Sequence, residues 1–222
     1  MCANSQELPG DAAKRLVQAG YERVAGAYQR ARGSSPQELA ALADFADRIA
    51  PAGTVLDAGC GAGVPAARYL STERGLRVTG VDFAVAQLAL ARRSVPRATF
   101  LQADITALDP AVFRDGMFDG ICCLYAIIHI PREEHAMLLA TFRRLLKPGG
   151  MLLLSTGDGA ADGDIEADWL GAPMYWSHYP RDTNVQLVRD AGFDLLWERA
   201  IVEDAAFGGG VHLFILARAP LG

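Results

Sequence analysis

No apolar run in this 222-residue sequence is long enough to cross a bilayer. The longest, residues 120–130, is interrupted by His129. Residues 1–10 are polar and lack the apolar core of a secretory signal, so the expectation is a cytoplasmic protein with no membrane partner. Cysteine is scarce. Cys2, Cys60, Cys122 and Cys123 form no C-x-x-C pair, which argues against a zinc knot or a thioredoxin-like centre and for reduced thiols. No bound metal is expected. A basic surplus is missing as well: 21 Lys and Arg against 26 Asp and Glu leave a net charge of −5, the wrong sign for a nucleic-acid partner. Internal repeats and low-complexity stretches are absent. What remains is a 51% apolar chain, long enough to bury a core without staples.

Along that chain, apolar runs alternate with amphipathic stretches. Helical spacing marks residues 15–32 and a second helix opened by Pro36 and stopped at Pro51-Ala52-Gly53. Strands are expected at 54–58, 77–82, 98–103, 118–124 and 151–156. Helices are expected from Pro65 to about Ser71, at 85–93 and at 132–146, with a turn at 147–150. Strands apolar on both faces, alternating with helices, indicate a doubly wound α/β fold with a mostly parallel sheet and helices on both faces. Residues 157–180 read as irregular, acidic and aromatic. A helix at 183–191 and two strands at 195–201 and 211–218 follow, and those strands have room only for an antiparallel pairing.

The string Val55-Leu56-Asp57-Ala58-Gly59-Cys60-Gly61-Ala62-Gly63 carries most of the chemistry. A strand runs into three alternate glycines and then into a helix, a turn that lets a ligand touch backbone near a helix N-terminus. Gly61-Ala62-Gly63-Val64-Pro65-Ala66 formally fits the dinucleotide pattern of an NAD(P)-dependent oxidoreductase. Asp57 at the strand end would oppose a pyrophosphate there and favour a cationic ligand.

These residues resemble the first motif of the class I, Rossmann-like S-adenosylmethionine-dependent methyltransferases, in their small-molecule branch. Val81-Asp82, Gln102-Ala103-Asp104-Ile105, Phe118-Asp119 and Leu145-Leu146-Lys147-Pro148-Gly149-Gly150 are similar to the later motifs, in order. The resemblance implies a seven-stranded sheet with an antiparallel C-terminal hairpin and S-adenosylmethionine as cofactor. It also implies methyl transfer to the O, N or S atom of a small molecule. It implies cofactor contacts at Tyr28, Asp57, Gly59, Cys60, Gly61, Gly63, Asp82, Phe83, Gln87, Asp104, Ile105, Leu124 and Tyr125. Asp82 would take the ribose hydroxyls and Asp104 the adenine amino group. Residues 1–35 would form a helical cap over a core of 36–222, with a lid or substrate insertion at about 157–182. Non-methylating relatives and non-catalytic binders of the cofactor share such a pocket.

A base is needed only if the acceptor must lose a proton. His178, His129 and Tyr179 are the candidates. His135 is expected on an exposed helix face, and His212 far from the site. Asp158, Asp162, Asp164, Glu166 and Asp168 stand beside Trp169, Met174, Tyr175 and Trp176, a composition suited to an apolar or cationic acceptor or to a solvated loop closing the core. The last four residues are the candidate substrate contacts. Adjacent Cys122 and Cys123 read as core packing.

Overall fold

The computed structural model describes residues 10–202 and 210–221; Cys2 and the segment before Gly10 lie outside them. Helix α1 (Gly10–Ala31) starts five residues earlier than its apolar spacing indicates. Ser35 caps α2 (Pro36–Asp47): its Oγ accepts from the Glu38 N–H at 3.1 Å, with Pro36 in the first turn. Then come β1 (Thr54–Ala58), α3 (Ala66–Arg68) running on as a π-helical turn over Tyr69–Glu73, β2 (Arg77–Asp82), α4 (Val85–Ser94) and β3 (Thr99–Gln102). Next are β4 (Phe118–Cys123), two 3₁₀ turns, α5 (His135–Leu145) and β5 (Leu146–Gly157). The chain closes with β6 (Ala161–Trp169), β7 (Ala172–His178), α6 (Arg181–Asp190), β8 (Asp194–Val202) and β9 (Val211–Arg218).

Seven strands form one sheet in the order β3-β2-β1-β4-β5-β9-β8. The first five are parallel, and β9 runs antiparallel to both β5 and β8. Strand order reverses between β1 and β4, so the crevice for a ligand lies above their carboxyl ends. The central strands are buried on both faces: Val55, Leu56, Ile121, Cys122, Cys123 and Leu152 are at most 0% exposed. The two adjacent cysteines are therefore core, and among the described residues Cys60, Cys122 and Cys123 are free thiols. No helix among the described residues is long and apolar enough to cross a membrane.

Three expectations change. Residues 157–180 are not irregular: β6 and β7 form a separate two-stranded antiparallel sheet. Trp169 pairs with Ala172 across Leu170-Gly171, both at positive φ (54° and 98°), which is the backbone of a two-residue hairpin turn whose twist suits the strands. The turn at 147–150 lies inside β5 as a bulge, because Phe118 pairs with Leu146 while Gly120 pairs with Met151. His135 is buried rather than exposed, its Nε2 3.0 Å from the Ile130 carbonyl, since the preceding 3₁₀ turns roll that face of α5 inward.

Helix α1 crosses the carboxyl end of the sheet and packs on the hairpin. Ala13, Val17 and Val24 meet Trp169, Ala172, Met174 and Tyr175 in an apolar cluster separate from the main core. Gly20 permits this approach: a Cβ there would lie 3.0 Å from the Pro173 carbonyl oxygen and 3.1 Å from Met174 Cε.

Candidate active site

The glycine turn is built as its sequence requires. Gly59, Gly61 and Gly63 all sit at positive φ (76°, 50° and 75°), where L side chains are disfavoured. The N–H groups of Gly59 and Cys60 both donate to the Val81 carbonyl at 2.8 and 2.9 Å, tying the turn to the end of β2. Asp82 completes it. Its Oδ2 accepts from Gly61 N–H and its Oδ1 from Ala84 N–H, each at 2.9 Å. Burial pushes the Asp82 pKa up to about 6, against the lowering effect of these hydrogen bonds.

Asp57, at the end of β1, is 2% exposed rather than solvated. Burial raises its pKa to about 7, although the Cys122 thiol lies 3.5 Å from Oδ1, and neighbouring Asp82 raises it further. Among the described residues neither carboxylate forms an ion pair. Gln87 on α4 is fully buried, and neither atom of its amide has a hydrogen-bond partner. Its Oε1 would lie 3.8 Å from a Cβ on Gly61.

These groups border two adjoining chambers beneath α1. The larger, of about 620 Å³, is lined by Gly59, Gly61, Asp82, Phe83, Asp104, Ile105, Leu124 and Tyr125 from the core, and by Lys14, Val17, Tyr21 and Tyr28 from α1. Ala126, His129 and Ile130 close its far end. The smaller, of about 360 Å³, shares Tyr28, Gly59, Gly61, Leu124 and Tyr125 and adds Arg32, Glu38, Asp57 and Cys60. Most of the expected cofactor residues thus meet in one place. Gly63 and Gln87 line neither chamber: Gly63 packs toward Val95 and Phe100, and Gln87 lies beneath the turn.

Asp104 is held by Thr106, whose N–H and hydroxyl each donate to Oδ1 at 2.8 Å, and Lys14 Nζ stands 3.7 Å from its other oxygen. Lys14 also reaches Glu134 at 3.0 Å. Arg32 joins buried Glu38 at 2.5 Å and lays its guanidinium over the Tyr125 ring, 4.4 Å from the centroid. Tyr125 is itself at positive φ (58°), pinned by its N–H to Ser155 Oγ at 2.7 Å. Its ring meets His212 at 4.8 Å, so His212 stands near the site and not far along the sheet: the antiparallel pairing sets it opposite Gly157.

The histidines separate clearly. His129 Nδ1 lies 2.8 Å from the Tyr175 carbonyl, which can only accept, so Nδ1 carries the proton. Nε2 is then an acceptor, and the Tyr21 hydroxyl donates to it at 2.9 Å. Burial lowers the His129 pKa to about 4, so the ring is neutral. Trp176 stacks on that ring at 4.6 Å, and Trp169 sets its edge against Tyr21 at 5.5 Å. By contrast, His178 lies outside both chamber linings. It donates from Nδ1 to the Gly159 carbonyl at 3.0 Å and covers Gly157 so closely that a Cβ there would fall 2.1 Å from the ring. Tyr179 is also outside, beneath Arg132 at 5.1 Å. Trp169, Met174, Tyr175 and Trp176 back the lining instead of forming it, because the hairpin packs behind α1 and His129.

Lys14, Arg32 and Glu38 went unassigned in the sequence, whereas Tyr21 is, with Tyr28, a sequence candidate for the methionyl end of the cofactor, and in the structure its hydroxyl meets His129. The signal available for Lys14 is a polar i, i+4 stripe on α1. Lys14, Gln18 and Glu22 hold Asp104, the Phe83 carbonyl (2.9 Å) and the Ala86 N–H (2.9 Å) in turn.

Residues 55–150 match the family model described as methyltransferase domain. That stretch is similar to a methyltransferase domain. Over 107 residues the chain is 39% identical to a ubiquinone biosynthesis O-methyltransferase of Pseudomonas paraeruginosa, covering 46% of this chain and 44% of that one. Over 141 residues it is 31% identical to a 2-methyl-6-phytyl-1,4-hydroquinone methyltransferase of Synechocystis sp., covering 60% and 42%. The chain therefore matches less than half the length of these relatives. Among solved structures, a 1,6-didemethyltoxoflavin-N1-methyltransferase of Burkholderia thailandensis, with 1,6-didemethyltoxoflavin and S-adenosylhomocysteine bound, superposes with TM-score 0.75. It covers 98% of this chain and 93% of its own at 21% identity, a likeness of fold. The matched stretch contains the glycine turn, Asp82, Asp104 and His129; α1 and the β6–β7 hairpin lie outside it.

Proposed function

We propose that this protein transfers a methyl group from S-adenosylmethionine to a small-molecule nucleophile. The observation that carries the reading is the pair of buried carboxylates, Asp57 and Asp82, flanking a left-handed glycine turn with no ion-pair partner among the described residues. A pyrophosphate would meet two negative charges there. A sulfonium and an ammonium group would meet what they need.

S-adenosylmethionine supplies a methyl group already activated on a sulfonium. The work left to the chain is binding, orientation and exclusion of water. Asp82 takes the ribose hydroxyls while its backbone bonds hold it in place. Asp104, oriented by Thr106 and Lys14, would take the adenine amino group, with Phe83 and Ile105 as apolar neighbours in the lining. Asp57 would face the cationic methionyl end, and Arg32 would receive its carboxylate. Of the three groups considered as a base, His129 is the one that reaches the cavity lining; His178 and Tyr179 would serve only after a rearrangement of the hairpin. The similarity to a ubiquinone biosynthesis O-methyltransferase and to a 2-methyl-6-phytyl-1,4-hydroquinone methyltransferase supports a small organic acceptor. The buried free thiols support a reducing, cytoplasmic setting.

Calorimetry with S-adenosylhomocysteine, NAD and NADP tests the cofactor reading. Saturable binding of the first and none of the others is expected. Binding of either dinucleotide in preference would overturn it.

A further inference from the structure

Apart from its two carboxylates, the lining of the larger chamber includes Val17, Tyr21, Tyr28, Tyr125, His129 and Ile130. This group is aromatic and apolar, and it offers a cation no carboxylate. The two carboxylates of the lining are already engaged: Asp82 with Gly61 and Ala84, Asp104 with Thr106 and Lys14. The acidic residues of the hairpin, Asp162, Asp164, Glu166 and Asp168, are exposed along β6 and outside the lining, so the cationic acceptor that their composition suggests loses its support. What the chamber does offer is a proton path. Tyr21 Oη and His129 Nε2 stand 2.9 Å apart, both reach the lining, and the Tyr175 carbonyl fixes the imidazole tautomer so that Nε2 accepts.

We propose that the acceptor is a neutral, flat aromatic compound with an ionisable hydroxyl, whose proton leaves through Tyr21 to His129 as the oxygen is methylated. This rests on the cofactor reading above. The acceptor oxygen forms a bond to the methyl carbon as the carbon–sulfur bond breaks and its electron pair stays on sulfur. The hydroxyl proton passes to Tyr21 Oη while the proton of Tyr21 passes to Nε2. The positive charge that leaves sulfur reappears on the imidazole, so the buried chamber holds the same net charge before and after. That matters because separating new charge in an apolar site is costly. The Trp176 ring stacked on His129 and the edge of Trp169 against Tyr21 hold the pair in register. Burial lowers the His129 pKa, so the ring is neutral before the reaction and Nε2 carries a free lone pair for the Tyr21 proton.

The test is S-adenosylhomocysteine release by the intact protein with catechol, with 4-nitrophenol and with ethanolamine, in a buffer alkaline enough to ionise 4-nitrophenol but not catechol. The wild-type protein is expected to methylate both phenols and not the amine. Tyr21→Phe removes one oxygen; His129→Asn keeps a donor for the Tyr175 carbonyl but removes the acceptor. Each variant should lose about 100-fold in kcat with catechol. Each should keep most of its turnover with 4-nitrophenol, which arrives without its proton, and its S-adenosylhomocysteine affinity should be unchanged. Equal losses with both phenols would mean a merely structural pair and overturn the proposal. So would turnover of ethanolamine alone, or of none of the three by a protein that binds S-adenosylhomocysteine. If His129→Asn fails to fold, Tyr21→Phe alone decides. Failure to bind S-adenosylhomocysteine would instead strike the cofactor reading.

Discussion

Cofactor binding should strengthen as pH rises through the range where the two buried carboxylates ionise. In the free protein burial holds Asp57 at about 7 and Asp82 at about 6, both above the ordinary carboxylate value. A cation docked beside them favours the ionised forms, so binding lowers both pKa values and releases protons. The sign follows: affinity for S-adenosylmethionine is weakest at low pH, climbs toward about 7 and levels off above it. The size can be worked from Asp57. At about pH 5, roughly two pH units below its value, about 1% of that carboxylate is ionised. A ligand that needs the ionised form then binds on the order of 100-fold more weakly, about 2.7 kcal/mol. Asp82 steepens the low-pH limb, although a neutral carboxyl can still accept one ribose hydroxyl. Calorimetry with S-adenosylmethionine alone between about pH 5 and 7.5, in two buffers of different ionisation enthalpy, measures affinity and protons released together. Asp57→Asn should flatten the upper half of the profile and leave a step near the Asp82 value. An affinity that is flat across this range, or a proton count of zero at about pH 6, would refute the argument that these carboxylates face the cofactor's charge.

Gly61→Val places a branched side chain at φ 50° on the chamber lining, so S-adenosylhomocysteine binding should vanish by calorimetry while far-ultraviolet circular dichroism stays that of the wild type. Arg32→Met removes an ion-pair partner of buried Glu38 and should lower stability in urea unfolding. Arg32→Met/Glu38→Met should recover most of that stability but not the cofactor affinity, which separates the fold role of Arg32 from its binding role. His178→Ala should reduce turnover far less than His129→Asn does in the same assay, because His178 lies outside the chamber lining.

The sheet was legible because its signal is local. Val55-Leu56, Ile121-Cys122-Cys123 and Leu152-Leu153-Leu154 are runs apolar on both faces, and only a strand covered by helices on each side can bury them. The glycine turn was legible for the same reason: the three glycines at 59, 61 and 63 meet a backbone that demands positive φ at each. The hairpin was harder to see. Asp162, Asp164, Glu166 and Asp168 do alternate with Ala161, Gly163, Ile165, Ala167 and Trp169 at the two-residue period of a strand, but most of the intervening residues are small and Ile165 is exposed, so the alternation marks no continuous buried face. Its turn, Leu170-Gly171, carries only one of the two residues that would advertise a positive-φ pair.

The acceptor side escaped for a different reason, and the histidines show it. Composition placed the aromatic, acidic segment against the substrate and made His178 the base, since a histidine among tyrosines and tryptophans looks like a site. Folding inserts α1 between that segment and the cavity. Ala13, Val17 and Gly20 present a small-residue face to Met174 and Tyr175, and so the hairpin spends its aromatics backing the helix. Tyr21, one position from that face, then projects to the lining and meets His129, which enters from a 3₁₀ turn after β4. The pair is 108 residues apart in sequence and is made by the docking of a helix that lies outside the stretch matched by the methyltransferase family model. Chemistry that depends on such a contact has no local pattern. The cofactor half of the site is written in one domain's motifs, while the acceptor half is assembled by whatever roof the chain supplies, which is why the first could be read from residues and the second only from their packing.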